Sequence, residues 1–139
     1  MANFNGTQVA VIAAGNEPDV GLVGGRVRAF VETIAYASQA SGSTLTMAKL
    51  PAGAVVLGFE LITDTSTGTA TLAVGDGNTA NLYSAAAAYT TTGVPINVGN
   101  TAGPLAGRLT SAGQIVLTTA TAALPASGNL VFITYYTVD

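Results

Sequence analysis

The sequence contains no cysteine and no histidine. The first absence excludes disulfide frameworks, zinc sites built on thiolates and cysteine nucleophiles. The second excludes every catalytic triad and every metal site that needs an imidazole. An enzyme built on this chain would have to work with carboxylates, hydroxyls or its single lysine.

Charge is also scarce. Charged residues make up 8% of the 139 residues, and the net charge is −3, whereas an average domain is about 25% charged. The four cations, Arg26, Arg28, Lys49 and Arg108, are scattered along the chain and do not supply the dense basic face that nucleic acid requires. We therefore predict no nucleic-acid partner.

Long hydrophobic runs are missing, although the mean hydropathy is +0.50. Glu60 and frequent glycine and threonine interrupt every run before it reaches the length of a membrane span. Residues 1–25 contain no Lys or Arg, and their apolar run Val9–Ala14 is too short for a secretory signal. We expect a chain that is made in the cytoplasm and inserts into no membrane.

The hydrophobic pattern predicts strands and frequent turns, which is typical of an antiparallel sandwich or barrel. One segment, Thr79–Tyr89, contains a run of alanines and is predicted to form one or two helical turns. The predicted strands are Arg26–Ala37, Ser43–Leu50, Ala54–Thr63, Thr69–Gly75, Arg108–Leu109, Gln114–Thr121 and Leu130–Val138.

Residues 1–25 differ from the rest. Glycines at 15, 21, 24 and 25 and the run Asn16–Asp19 break any regular element. We predict an extended N-terminal arm over residues 1–25 and an all-β, antiparallel β-sandwich domain over residues 26–139 with at most one short helix.

Three strands carry predictions about their faces. Arg26–Ala37 is mostly apolar on both sides, so we expect a second sheet on one side and a neighbouring subunit on the other. In Ala54–Thr63 we expect one face to hold four apolar residues. In the last strand we expect Tyr135 and Tyr136 to point to opposite sides, one to the core and one to the rim or an interface. The four apolar residues are Val55, Leu57, Phe59 and Leu61.

The acidic residues allow two kinds of site. Glu32 and Glu60 could form a glycosidase dyad if their strands were adjacent, although the absence of tryptophan argues against a sugar site. Asp64 and Asp76 open turns that faintly resemble calcium loops but lack the downstream glutamate. For both pairs we favour solvent-facing or turn positions, and we predict no catalytic residue, no metal and no cofactor.

A weakly charged, apolar surface is typical of a subunit that is buried in an assembly. We predict that the arm contacts a partner through Phe4, Val9, Val11 and Ile12, since extended arms can add a strand to a neighbouring sheet. Arg26 and Arg28 are candidates for charge contacts with an acidic surface. The alternative is that they are solvated or paired with Glu32.

The order of turns and strands resembles small virion proteins of tailed bacteriophages. The resemblance rests on the runs Leu50–Gly58 (LPAGAVVLG), Thr63-Asp64, Gly68–Asp76 (GTATLAVGD) and Leu82-Tyr83 with the alanines after it. It continues through a glycine-rich passage to strands like Gln114–Thr121 and Leu130–Val138, covering residues 26–139.

The resemblance implies a compact, jelly-roll-like β-sandwich that decorates or cements a phage capsid. Such proteins form homotrimers where major capsid subunits meet, so the expected partners are the major capsid protein and further copies of this chain. The expected location is the capsid exterior of the virion. A tail, fibre or carbohydrate-binding sandwich module is the alternative, and a hydrolase based on Glu32 and Glu60 ranks third.

Overall fold

The computed structural model describes Gly15, residues 26–99 and residues 108–138, and this part of the chain contains eight β-strands and no helix. Six of the predicted strands occur with ends within two residues of the prediction. The strands are β1 (Val27–Ala35), β2 (Thr44–Leu50), β3 (Val55–Thr63), β4 (Thr71–Gly75), β5 (Ser84–Ala87), β6 (Ile96–Val98), β7 (Gly113–Ala120) and β8 (Asn129–Thr137).

The strands form two four-stranded antiparallel sheets. Sheet A has the order β1-β8-β3-β6, and sheet B has the order β2-β7-β4-β5. Every connection between consecutive strands crosses from one sheet to the other, except the β4–β5 connection. This is the strand order of a jelly roll, in which two Greek keys make a double-sheet sandwich. The prediction of an antiparallel, jelly-roll-like β-sandwich is therefore confirmed.

The core lies between the two sheets. Phe59 and Phe132 of sheet A are fully buried, and their ring centroids are 5.4 Å apart. Tyr83 meets Phe59 edge-on at 5.5 Å. Opposite them, sheet B contributes buried aliphatic side chains, so the interior is closed by β-branched, leucine and aromatic residues. The aliphatic side chains are those of Met47, Leu72, Val74, Ile115 and Leu117.

The predicted helix over Thr79–Tyr89 is wrong. Residues 84–87 form the short edge strand β5, which pairs with β4. Tyr83 and Tyr89 flank this strand, and both are buried. In a helix, side chains six residues apart would point about 120° away from each other, so one helix could not direct both rings into the same core. Tertiary packing therefore outweighs the helix propensity of alanine.

Three further predictions need correction. Arg108–Leu109 is not a strand; Leu109 exchanges backbone hydrogen bonds with Gly53 and Ala54 in the β2–β3 turn. β6 lies in the glycine-rich passage for which no strand was predicted. A β-bulge interrupts the pairing of β3 with β8 between Val56 and Gly58. The bulge leaves Leu57 exposed and places Val56, rather than Val55, beside Phe59 in the core.

The antiparallel register gives the sandwich two ends. At the end that we call the Asp64 end lie the loops β1–β2, β3–β4, β5–β6 and β7–β8. We call the opposite end the Arg26 end. There β1 begins and β8 ends, and the same end holds the connections β2–β3, β4–β5 and β6–β7. The boundary between the predicted arm and the sandwich lies at the Arg26 end, and apart from Gly15 the residues of that arm are outside the described part.

Side-chain hydrogen bonds tie the loops of the Asp64 end together. The hydroxyl of Thr119 donates to the carbonyl of Ala40 at 2.9 Å. Thr67 accepts from the backbone N–H of Tyr89 at 2.9 Å. The hydroxyl of Tyr36 lies 2.6 Å from that of Thr63. Short polar side chains, rather than ion pairs, thus supply the partners of the loop backbone at this end.

Asp64 joins the β3–β4 loop to the start of β8. Its Oδ1 accepts from the backbone N–H of Asn129 at 2.8 Å and from the hydroxyl of Thr65 at 2.9 Å. These hydrogen bonds, the one from the Asn129 backbone first, hold the pKa of the Asp64 carboxyl below its usual value of 3.8. Gly128 lies directly against the pair: its φ is +114°, and a Cβ there would meet Thr65 and Asp64.

We expect Gly128→Ala to lower the free energy of unfolding by about 1–3 kcal/mol. The added methyl group would press on the Asp64–Thr65 pair in a backbone conformation that L-residues rarely adopt. Gly93→Ala is the matched control, because Gly93 also has positive φ (+74°) but open space around its Cβ position. Urea unfolding of both variants measures the difference, and equal losses would show that the contact with Asp64 is unimportant.

Asp64 also predicts a pH dependence. Because its pKa is lowered on folding, its contribution to stability is fully present above the ordinary carboxyl pKa of 3.8 and is lost as the pH falls through the lower folded-state value. Asp64→Asn should therefore be less stable than the wild type at pH 7, and this difference should shrink below about pH 4. Urea unfolding across that range is the measurement, and a constant difference would contradict the prediction.

Candidate interaction surfaces

The outer face of sheet A is apolar. Residues that pair directly in an antiparallel ladder point to the same side, so Val31, Ile133 and Glu60 form one row across the sheet and Thr33, Val131 and Ile62 form another. Ala29, Tyr135 and Gly58 make a third row. The outer face of sheet A thus includes Val27, Ala29, Val31, Thr33, Gly58, Glu60, Ile62, Val131, Ile133 and Tyr135. Thr137 and Val55 form a row with Val27 but are buried.

Exposure on this face is highest along β1, where Val27 is 63% and Val31 is 58% exposed. The carboxylate of the face, Glu60, accepts a hydrogen bond from the Tyr135 hydroxyl. Desolvation first, and then the charge of Glu60 and this hydrogen bond, raise the pKa of Tyr135 above its ordinary value of 10.0. The Glu60 carboxylate therefore has a hydrogen-bond partner in Tyr135, and the rest of the face exposes mainly aliphatic side chains to water.

The two sides of β1 behave as its sequence predicts. Phe30 and Ile34 pack against the core, so the expected cover from a second sheet is confirmed. The cover expected from a neighbouring subunit on the Val27 and Val31 side stays a prediction. The two last-strand tyrosines also divide as expected: Tyr136 packs against the core, and Tyr135 lies on the outer face.

β1 is also a long edge strand. It pairs with β8 over nine consecutive residues without a bulge, and its other edge pairs with no strand in the described part of the chain. The other three edge strands are shorter or irregular: β5 has four residues, β6 has three, and β2 has a bulge between Thr46 and Ala48. A long and regular edge can take up a further strand, and in β1 the charged residues Arg28 and Glu32 lie on the side opposite to Val27 and Val31.

The outer face of sheet B has a different composition. Its rows join Thr44 with Thr118 and Ala73, and Thr46 with Val116 and Gly75. These side chains are small, and threonine presents hydroxyls to water. The sandwich therefore has one aliphatic face and one face of small and polar residues.

The Arg26 end gathers the basic residues. Arg26 and Arg28 stand at the start of β1, and Lys49 precedes the last residue of β2. Arg108 reaches the β2–β3 turn, where its Nη1 donates to the carbonyl of Gly53 at 3.3 Å. Residues that are far apart in sequence thus share one end of the fold, because β1 and β2 are neighbouring edges of the two sheets.

An open pocket of about 430 Å³ lies at the same end. Its wall includes the end of β2, the β4–β5 turn and the residues that lead into β7. Asp76 in this wall uses its Oδ1 to accept from the backbone N–H groups of Asn78 at 2.9 Å and Thr79 at 2.8 Å. The lining residues are Lys49, Leu50, Asp76, Asn78, Thr110, Ser111, Ala112, Gly113 and Gln114.

Glu32 and Glu60 do not face each other. Glu32 pairs with Phe132 and Glu60 with Ile133, so β8 separates them and they lie on opposite sides of sheet A. The hypothesis of a Glu32–Glu60 dyad is therefore wrong. The carboxylates of Asp64 and Asp76 cap local backbone groups, which confirms their interpretation as turn residues. Among the described residues, no group of three or more acidic side chains could hold a metal ion.

The predicted contact residues fall into two groups. Phe4, Val9, Val11 and Ile12 lie outside the described residues. Arg26 and Arg28 are exposed, and neither forms an ion pair with Glu32 within the described ranges; the Glu32 carboxylate instead accepts from the backbone N–H of Thr33 at 3.1 Å. Within those ranges no helix is long and apolar enough to cross a membrane.

Two groupings were not predicted from the sequence: Lys49 and Arg108 with the two N-terminal arginines, and Tyr135 with Glu60. No local signal could have found these groupings, because each depends on which strands become neighbours. The sequence shows that Val27 and Val31 lie on the same side of their strand. The order of the strands was needed to show that apolar residues of β8 and β3 continue the same surface.

Neither a protein-family model nor a curated protein matches the sequence. Solved structures do match. A chain in the structure "Capsid of Ralstonia phage GP4" has a TM-score of 0.67 and 20% identity, with 83% of this chain and 86% of that chain covered. A chain in "Cyanophage Pam1 capsid asymmetric unit" has a TM-score of 0.57 and 22% identity, with 100% and 92% covered. The jelly roll described here is therefore a fold that chains in phage capsid structures share.

Proposed function

We propose that this chain is a structural virion protein, without catalytic activity, that binds the outside of an assembled phage capsid and cements neighbouring major capsid subunits. The observation that carries the proposal is the aliphatic outer face of sheet A, with its long edge strand β1, on a fold that occurs in phage capsid structures. A surface of this kind is unfavourable in water and suits a subunit whose neighbours cover it.

The mechanism we propose is thermodynamic linkage. A protein that binds the assembled shell but not its separated subunits stabilises the shell by mass action. Each copy that bridges two capsid subunits adds contacts that must break before the subunits separate. When several copies are joined, their contacts act together and bind more tightly than any one of them alone.

We propose further that the copies form a homotrimer through the outer face of sheet A. Among the described residues of the face Glu60 is the charged one, and its pairing with Tyr135 supports contact with another apolar surface. Around a threefold axis the faces of three copies can supply such a surface, if different parts of each face contact the two neighbouring copies. Burying Val27 and Val31 there would remove the most exposed apolar side chains of the face from water.

The trimer can be tested by charge placed on either face. Val27→Glu/Val31→Glu should convert a species of about 41 kDa, three times 13.7 kDa, into a monomer, because buried carboxylates oppose association. Thr44→Glu/Thr46→Glu is the matched control, with the same charges on exposed positions of the outer face of sheet B. Light scattering after size exclusion measures both masses. A monomeric wild type at every concentration, or a monomeric control variant, would contradict this interface.

We propose that the N-terminal arm binds the shell through Phe4, Val9, Val11 and Ile12. Deleting residues 2–20 should abolish co-sedimentation with capsids assembled from the major capsid protein of the same phage. The β-sandwich should remain folded, as an unchanged far-ultraviolet circular dichroism spectrum and cooperative unfolding would show. Undiminished co-sedimentation of the folded deletion variant would refute the role of the arm.

A further inference from the structure

We infer that the Arg26 end of the sandwich faces the shell and that the surface it meets is acidic protein. The inference deepens the proposed function and rests on it. It adds an orientation of the sandwich and the chemistry of the partner.

Positive charge is confined to one end of the sandwich. All four lysine and arginine residues of the chain are Arg26, Arg28, Lys49 and Arg108, and the fold brings all of them to the Arg26 end. The Asp64 end therefore has no cation at all. Among the described acidic residues, Asp76 is the one at the Arg26 end, and two backbone N–H groups already contact its carboxylate. Among the described residues, the Arg26 end thus has four cations and one carboxylate.

Three of these cations are exposed in the described part of the chain. Arg26, Arg28 and Lys49 are exposed, and none of the three forms an ion pair with another described residue. A charged side chain that has no partner in its own fold loses little when it binds an external carboxylate. Arg108 is half-buried and donates to Gly53, so it contributes long-range attraction rather than a new contact.

The shape of the same end also suits an acidic side chain. The open pocket beside Lys49 includes Asp76 in its wall, and the Oδ1 of Asp76 already accepts from two backbone N–H groups. The rest of the wall includes the hydroxyl and amide side chains of Thr110, Ser111 and Gln114. These hydroxyl and amide groups and the Lys49 ammonium can donate hydrogen bonds to a carboxylate. The pocket can admit an aspartate or glutamate side chain that projects from the partner.

The small number of cations at the Arg26 end favours a protein partner over nucleic acid. Nucleic acid carries a closely spaced row of phosphates and is bound by dense lysine and arginine faces. Three exposed cations on one end, with a carboxylate among them, are too few for such a row. A few carboxylates on a capsid subunit match that number.

The two ends also differ in how their loops are built. The loops at the Asp64 end use their polar side chains on one another, through Thr119, Thr67 and Asp64. The polar side chains around the pocket at the Arg26 end are exposed or half-buried. The Arg26 end is also where the predicted arm joins the sandwich, so arm and basic residues would reach the same partner.

The test compares two double variants with equal changes in net charge. Arg28→Gln/Lys49→Gln removes two positive charges from the Arg26 end. Thr90→Glu/Thr92→Glu adds two negative charges at exposed positions of the β5–β6 loop at the Asp64 end. Binding to capsids is measured by co-sedimentation at ionic strengths from about 0.05 M to about 0.5 M.

We expect the wild type to bind about tenfold or more weakly at the high ionic strength, because salt screens exposed charge pairs. The Arg28→Gln/Lys49→Gln variant should bind about tenfold more weakly than the wild type at low ionic strength and should depend less on salt. The Thr90→Glu/Thr92→Glu variant should match the wild type.

The outcomes separate the inference from the proposed function. If the wild type does not co-sediment with capsids at any ionic strength, the proposed function fails. If it binds, but independently of salt and equally in both variants, the function stands and the basic docking end is wrong. Equal weakening in both variants would show an effect of net charge alone, and retention of the wild type by duplex DNA at about 0.15 M salt would identify a different partner; each of these results overturns the inference.

Discussion

The fold depends on β8, which pairs with β1 along one edge and with β3 along the other. This ladder decides, residue by residue, which side chains enter the core and which reach the outer face. Phe132 and Leu130 point inward, and Ile133 and Val131 point outward. A register shift of one residue would exchange these sets, so the packing of Phe132 against Phe59 and the outer apolar face are fixed by the same pairing.

The scarcity of charge has structural consequences throughout the molecule. Networks of ion pairs are not available to a chain with eleven charged residues, so threonine hydroxyls and one aspartate hold the loops at the Asp64 end. Threonine suits this role because it also fits a pleated strand. The same scarcity leaves Glu60 as the charged residue among the described members of the outer face of sheet A.

These features divide the molecule into regions with different proposed roles. The Asp64 end is closed by its own hydrogen bonds. The outer face of sheet A offers apolar area for another copy, and the Arg26 end offers cations and a polar pocket for an acidic partner. Lateral contacts and contacts with the shell would then use different side chains on adjoining surfaces, which allows one copy to make both at once. Such simultaneous contacts are what shell stabilisation by several weak interactions requires.

The strands, their approximate ends and the all-β class could be read from the sequence, because alternation of apolar residues and turn residues are local properties. The absence of cysteine and histidine limits the chemistry in the same way, since no fold can supply a thiolate or an imidazole that the chain lacks.

Residues 84–87 could not be read correctly, since alanine favours a helix locally and only the burial of Tyr83 and Tyr89 in one core selects a strand. The bulge at Leu57 and the separation of Glu32 from Glu60 also escaped local reasoning, because each depends on the partner strand. Likewise the four basic residues looked scattered, and only the crossing of consecutive strands between two sheets brought them together. The sequence by itself determined what each strand could bury, while the tertiary structure decided which strands are neighbours and therefore where every surface lies.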